Sequence, residues 1–223
     1  MNEGKLDNIL ILPGWRILDV GGGHVPYSKA TDIVDWYPEG EHNQVQRRGA
    51  GMNVPRGVAF HKADARNLPF DDNEFDFVVC AETLNHLDRP DAACSELCRV
   101  ARAGYVEVPD IAHELFEPHD EHLWRCWMEE KTLVFSPKSP EDLLWKAEKL
   151  IGGVVEYGPA PYGPALLHSL HQCWDAYYCA FIWTDGFKWR VLPPRLAPPK
   201  APALVKPPQK VADPKIAVVE QCG

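Results

Sequence analysis

Phe75-Asp76-Phe77-Val78-Val79-Cys80-Ala81 is the stretch on which the fold turns. It is almost continuously apolar, the pattern of a central parallel strand covered on both faces. Working outward, similar short runs recur. Arg16-Ile17-Leu18-Asp19-Val20 stops at Gly21-Gly22-Gly23, and Thr31–Asp35 and Gly57–His61 follow as β-rich runs. Downstream, Asp91–Ala101 places apolar or small residues at 93, 94, 97, 98 and 101, which predicts a helix. Tyr105–Val108 is a fifth strand, stopped by Pro109. Strands alternating with helices imply an α/β fold with a mostly parallel sheet, and right-handed crossovers leave few topologies.

Ile111–Lys138 differs in texture: it is dense in His, Glu and Trp, has little clean periodicity, and sits where a substrate lid would fall. Ser139 then reads as an N-cap with Pro140 at the first helical position, opening a helix that runs to Ile151 and stops at Gly152-Gly153. Tyr177–Trp183 and Phe187–Leu192 flank Thr184-Asp185-Gly186, a hairpin signal. From Pro193 prolines recur to Pro214, mixed with Ala and Lys, and such a segment builds neither helix nor central strand. The expected organisation is one domain over residues 1–192, with 111–138 as its lid, and an extended, disordered tail over 193–223. The tail's Pro199–Pro202 unit either engages an aromatic groove on a partner or is passive.

The chain has 223 residues, of which 45% are apolar and 25% charged, ordinary values for a globular protein with one sizeable core. A formal net charge of −9 argues against broad nucleic-acid binding, which needs a basic face to displace phosphate counterions. The seven cysteines form no Cys-x-x-Cys pair, and an odd number does not suit a disulfide framework. Cys94 and Cys98, four apart on a helix, read as small buried hydrophobes rather than half a metal site. No run approaches the ~18 apolar residues of a membrane span, and the N-terminus lacks the apolar core of a secretory leader. These features predict a cytoplasmic protein.

Chemistry gathers after the strands. Asp19-Val20-Gly21-Gly22-Gly23 ends the first strand, where glycine lets the backbone turn sharply and approach a ligand. Asp35 ends the second strand and is placed to accept from both hydroxyls of a ribose. Ala63-Asp64-Ala65, then Asn67-Leu68-Pro69-Phe70, follow the third; an Asp here can accept from an exocyclic amine. After the fourth strand comes Glu82-Thr83-Leu84-Asn85-His86-Leu87.

Asp-Val-Gly-Gly-Gly, then Ala-Asp-Ala-x-x-Leu-Pro-Phe-x-Asp-x-x-Phe-Asp-Phe-Val, then Glu-Thr-Leu-Asn-His-Leu, in that order and spacing, resemble the type-11 family of class I S-adenosylmethionine-dependent methyltransferases. The resemblance covers Ile17 to Pro109. It implies a Rossmann-like sheet of seven strands, mostly parallel, whose antiparallel seventh strand lies beside the fifth; the terminal hairpin agrees. It implies S-adenosyl-L-methionine as cofactor. Asp19, Gly21, Gly22 and Gly23 would hold its methionine end, Asp35 the ribose, and Asp64 with Ala65 the adenine. Cys80 to Glu82 would line the floor beneath the sulfonium. One departure stands out: only His24-Val25-Pro26-Tyr27-Ser28-Lys29-Ala30 separates Gly23 from the second strand, and Gly23 to Asp35 is shorter than the ~20 residues of the generic fingerprint. The first crossover helix is therefore expected to be shortened, with His24 or Tyr27 helping to close the site.

Methyl transfer from a sulfonium needs alignment and desolvation, and a hydroxyl nucleophile gains from a general base. His86 is the candidate base, set against a structural role at a helix start. The His113-Glu114, His119-Asp120-Glu121-His122 and Trp124 segment holds metal-ligand types at no standard spacing, so no metal is expected and substrate recognition is the preferred reading. The activity expected is O- or N-methylation of a small molecule of sugar, lipid or natural-product type. Alternatives are a protein or nucleic-acid methyltransferase, or an inactive cofactor-binding scaffold working through the tail. Ala81-Glu82-Thr83-Leu84 lacks the Asn/Asp-Pro-Pro-aromatic motif of DNA amino-methyltransferases, and Asp64 with Leu68-Pro69-Phe70 does not suit a nicotinamide cofactor.

Overall fold

The computed structural model describes Leu6 and residues 11–23, 25–36, 54–139 and 177–193. Strand β1 (Ile17–Val20), β2 (Asp32–Asp35), β3 (Ala59–Lys62), β4 (Phe77–Ala81) and β5 (Ala103–Pro109) run parallel. Strand β8 (Tyr178–Thr184) joins the edge of β5 antiparallel, giving the order β3-β2-β1-β4-β5-β8. Among the described residues the central sheet has six strands, where the sequence suggested seven.

The central run behaves as its composition dictates. Successive strand residues face opposite sides, and β4 places Val78 and Cys80 in one core and Phe77 and Val79 in the other. A strand apolar on both faces can only sit between two packed layers. One layer is helix α1 (Pro90–Val100), which buries Ala93, Cys94, Leu97 and Val100 against the first core. Pro90 suits its first turn, where a missing N–H costs nothing. The other core gathers Leu6, Ile17, Tyr27, Ile33 and Tyr105. Gly104 is required in β5, because a Cβ there would lie 2.7 Å from Trp183 and from both a methyl and the carbonyl of Val78.

Between β1 and β2 the described residues form only turns and bends. His24 lies outside the described residues, as do the helix expected over 139–151 (from 140 onward) and the tail (from 194 onward).

Two expectations are corrected. The segment 111–138 is more ordered than its texture suggests: helix α2 (Ile111–Phe116) is capped by the Asp110 carboxylate, which accepts from Ala112 N at 2.9 Å. Strands β6 (Trp124–Glu129) and β7 (Thr132–Pro137) then pair antiparallel. Their buried residues Cys126, Leu133, Val134 and Phe135 alternate poorly with polar ones, so the period of two is blurred. Tyr177–Trp183 and Phe187–Leu192 do not form a hairpin with each other. Both strands exist, but β9 (Lys188–Val191) leaves the central sheet after Asp185-Gly186 and pairs in parallel with β7. Turn chemistry predicts a reversal of direction; it does not fix the partner. Here Phe187, Trp189 and Val191 pack against the α1-side core, which draws β9 across.

Candidate functional site

The strand order reverses between β1 and β4, and open α/β sheets bind ligands in the crevice outside the carboxyl ends of strands at such a point. A cavity of about 680 Å³ lies there. Asp19 and Gly21–Gly23 reach it from β1, Asp35 and Trp36 from β2, Asp64–Arg66 from the β3 exit, and Ala81–Thr83 from β4. His86, on a single 3-10 turn (Leu84–His86), and His119, Glu121 and His122, before β6, form the remaining wall.

The glycine turn is built by close approach. Gly21 has φ +73°, and its N–H donates to Val34 O at 2.8 Å. A Cβ on Gly21 would lie 2.1 Å from Thr83 Oγ1, and one on Gly22 2.5 Å from Asp19 Oδ2. Thr83 Oγ1 sits within 3.1–3.4 Å of the carbonyls of Ala81, Val20 and Gly21, tying the exits of β1 and β4 together. The preceding Glu82 adopts φ +52°, uncommon for a residue with a side chain. Sequence reading gave Thr83 no role; its signal was a hydroxyl just after the fourth strand, legible only once Gly21 is known to face it.

Three carboxylates ring one side. Asp19 is buried and Oδ2 accepts from Tyr27 N at 2.6 Å. Burial pushes its acid up to about 7; the Tyr27 N–H opposes this and the nearby Asp35 charge adds to it. Asp35 Oδ2 accepts from Gly23 N at 3.3 Å. Asp64 is gripped by Arg66, whose Nε lies 2.9 Å from Oδ1 and whose Nη2 lies 2.6 Å from Oδ2, and this holds it below the usual carboxylate range. Arg66 in turn pairs with Asp88.

The opposite wall is imidazole. His86 Nδ1 lies 3.2 Å from Glu121 O. A carbonyl only accepts, so Nδ1 carries the proton and Nε2 keeps its lone pair. Burial, helped by His122, pushes His86 down to about 4. The His86 and His122 rings meet edge to face at 4.7 Å, and His119 stands 4.8 Å from His122. No group of three or more metal-ligating side chains is arranged around an ion among the described residues.

Of the residues nominated from sequence, Asp19, Gly21, Gly22, Gly23, Asp35, Asp64, Ala65, Glu82 and His86 line this cavity. Cys80 does not. Its side chain faces the core beside Val78, fully buried, and Ala81 and Glu82 form the floor instead. The strand alternation that buries Val78 buries Cys80 with it.

The lining suits S-adenosylmethionine, a sulfonium with an amino acid at one end and an adenosine at the other. Two neighbouring buried carboxylates, Asp19 and Asp35, repel each other and suit a cation, and the Gly21–Gly22 backbone packs directly on Thr83, Asp19 and Pro26, which brings the turn close to the cavity.

Residues 18–106 match a protein family described as the methyltransferase domain. A demethylmenaquinone methyltransferase of Renibacterium salmoninarum is 31% identical over 132 residues, covering 54% of this chain and 53% of that protein. A ubiquinone/menaquinone biosynthesis C-methyltransferase of Cupriavidus metallidurans is 33% identical over 102 residues, 42% of each chain. The chain thus spans about half the length, or less, of these curated relatives. Among solved structures, the YcgJ protein of Bacillus subtilis superposes with a TM-score of 0.40 at 21% identity, over 54% of this chain and 59% of that one. The strand order, the cavity at its reversal and the family match agree: residues 18–106, less than half of the chain, are similar to the methyltransferase domain.

Proposed function

We propose that the protein transfers a methyl group from S-adenosylmethionine to a small-molecule acceptor held between Glu82–Thr83 and the imidazole wall. The observation that carries this reading is the cavity's division: carboxylates and glycines on one side, His86, His119 and His122 on the other, in a single space of about 680 Å³. That is enough for a cofactor and part of an acceptor, since ligand pockets run to about 300–1,000 Å³. When bound, the cofactor supplies an electrophilic methyl on sulfur for in-line displacement.

The chain's residues do the rest. Asp19 and the glycine turn hold the cationic amino-acid end, Asp35 accepts from the ribose, and Asp64 with the Ala65 backbone meets the adenine. Asp64 retains acceptor capacity beside Arg66, because a carboxylate offers about four lone-pair sites. Glu82 forms the floor, and its neighbour Thr83 keeps the two strand exits in register. His86 presents the bare Nε2 to the acceptor side of the cavity. Residues 1–192 form the catalytic domain, with 111–138 supplying the acceptor wall. The relatives' printed names, a demethylmenaquinone methyltransferase and a ubiquinone/menaquinone C-methyltransferase, make a quinol ring the first acceptor to try. No described helix is long and apolar enough to cross a membrane.

The test is calorimetric titration with S-adenosylmethionine and its demethylated product, followed by methyl transfer to 1,4-naphthoquinol. Micromolar binding lost in Asp64→Ala supports the reading. A folded protein that binds neither compound overturns it.

A further inference from the structure

We propose that His122, backed by the buried Glu114 carboxylate, takes the proton from the acceptor during methyl transfer, and that the acceptor's nucleophile is therefore a proton-bearing group such as a phenol or hydroxyl. This rests on the methyltransferase reading and assigns a base that the sequence did not nominate.

The geometry begins with Glu114. It is completely buried on α2, yet it is paired twice: with His122 Nδ1, and with Lys138 Nζ at 2.5 Å. Burial favours its neutral form, but the His122 and Lys138 contacts outweigh that and hold it below the ordinary carboxylate range. A carboxylate buried at this cost calls for a use. Being ionised, it only accepts, so His122 Nδ1 must donate, and in the neutral ring Nε2 then keeps its lone pair. A carboxylate behind an imidazole fixes its tautomer and raises its basicity. His122 lines the cavity, so this carboxylate-backed imidazole reaches the space in which the acceptor lies.

Only the Glu121 carbonyl stands behind His86 Nδ1, and burial disfavours the His86 cation. Its neutral ring borders the acceptor space while His122 takes the proton. The groups facing His122 are His86 from the 3-10 turn, His113 and Glu114 from α2, His119 and Glu121 from the turn before β6, and, through Glu114, Lys138 after β7. The three histidines are neutral at pH 7 if they titrate at or below the ordinary value, so the Glu114 charge dominates the field at His122.

The step balances as follows. The acceptor's oxygen forms a bond to the methyl carbon as the carbon–sulfur bond breaks. Its proton passes to His122 Nε2, and the sulfur leaves with the bonding pair as a neutral thioether. His122 then returns the proton to solvent. An acceptor with no proton to lose, such as a tertiary amine, would need no such base.

Histidine-ring nitrogen NMR of the full chain, saturated with the demethylated cofactor, tests this without an acceptor. His122→Gln assigns the resonance. The expected result is an Nδ1–H tautomer for His122 and a midpoint above that of His86. In Glu114→Gln that midpoint should fall by about one pH unit or more. Lys138→Met, which leaves Glu114 unshared, should move it up, and it serves if the glutamine variant does not fold. A His122 that titrates at or below His86, or that moves in neither variant, overturns the proposal. Cofactor-product binding in the same samples tests the methyltransferase reading separately. Where 1,4-naphthoquinol turns over, His122→Gln should lower kcat by ~100-fold or more, with product affinity unchanged; unchanged kcat likewise overturns it.

Discussion

Gly21→Ala is the substitution whose cost follows most directly from the structure. Two effects add. The residue sits at φ +73°, where an L side chain crowds its own carbonyl at about 1–2 kcal/mol. Its Cβ would also stand 2.1 Å from Thr83 Oγ1, 2.7 Å from Cγ2 and 3.0 Å from Cβ, distances that force one strand exit away from the other. Overpacking of this kind costs about 1–3 kcal/mol. Alanine stiffens the unfolded chain and returns about 0.4–1 kcal/mol, which leaves a net loss of roughly 1–4.6 kcal/mol. Adding Thr83→Ala removes the two nearest atoms and should restore the packing share alone, so urea denaturation of the four proteins should show coupling of at least about 1 kcal/mol. Calorimetry with the demethylated cofactor should follow, with at least a tenfold loss for Gly21→Ala, about 1.4 kcal/mol. If Gly21→Ala unfolds within 0.5 kcal/mol of wild type, or if Thr83→Ala gives no rescue, the account of the turn is wrong.

Further outcomes can be checked alongside. Asp19 ionises near 7 when folded but near 3.8 when not, so the unfolded chain sheds its proton first and stability falls as pH rises from about 4 to 7. His86 and His113, both held near 4, act oppositely: stability is lost as pH falls from about 6.5 to 4. In Asp19→Asn only the histidine slope remains, so its thermal midpoint should drop more steeply with acid than that of wild type; a parallel profile would contradict the burial argument. Gly104→Ala should destabilise by about 1–3 kcal/mol without altering cofactor affinity per folded molecule, because its Cβ meets Trp183 and the Val78 backbone far from the cavity; the check is denaturation beside calorimetry. Arg66→Met removes the main cause of the low Asp64 acidity, so Asp64 should titrate higher by carboxyl NMR, with weaker adenosine binding if the guanidinium also shapes that subsite.

The central sheet was legible because its signals are local. The apolar Phe75–Ala81 run, the glycines after Val20 and the period of α1 each reflect forces acting over a few residues. The carboxylate side of the cavity was legible for the same reason, since Asp19, Asp35 and Asp64 follow strand ends in order. The imidazole wall was not. Nothing in the spacing of Glu114, His122 and Lys138 says that they meet; a helix, a turn and a hairpin bring them together, and only tertiary packing fixes those. The partner of β9 was hidden likewise, because Thr184-Asp185-Gly186 encodes a bend and the choice between sheets is made by Phe187 and Trp189 on a core assembled from distant segments. Cys80 was misplaced by reading a strand end as uniformly exposed to the site, when alternate residues face away.

The crossing of β9 onto β7 has a consequence for traffic through the cavity. A flap closed over a ligand usually hangs from two neighbouring stems and swings as a unit. Here the strands beside the imidazole wall are laced to the chain at 188–191 by a parallel ladder, while 178–184 is laced to β5. Lifting that wall would mean unzipping one ladder or the other. Among the described residues Val25, Trp36 and Leu123 are the exposed apolar side chains of the cavity lining, so a ligand that exchanges without unzipping either ladder passes beside them.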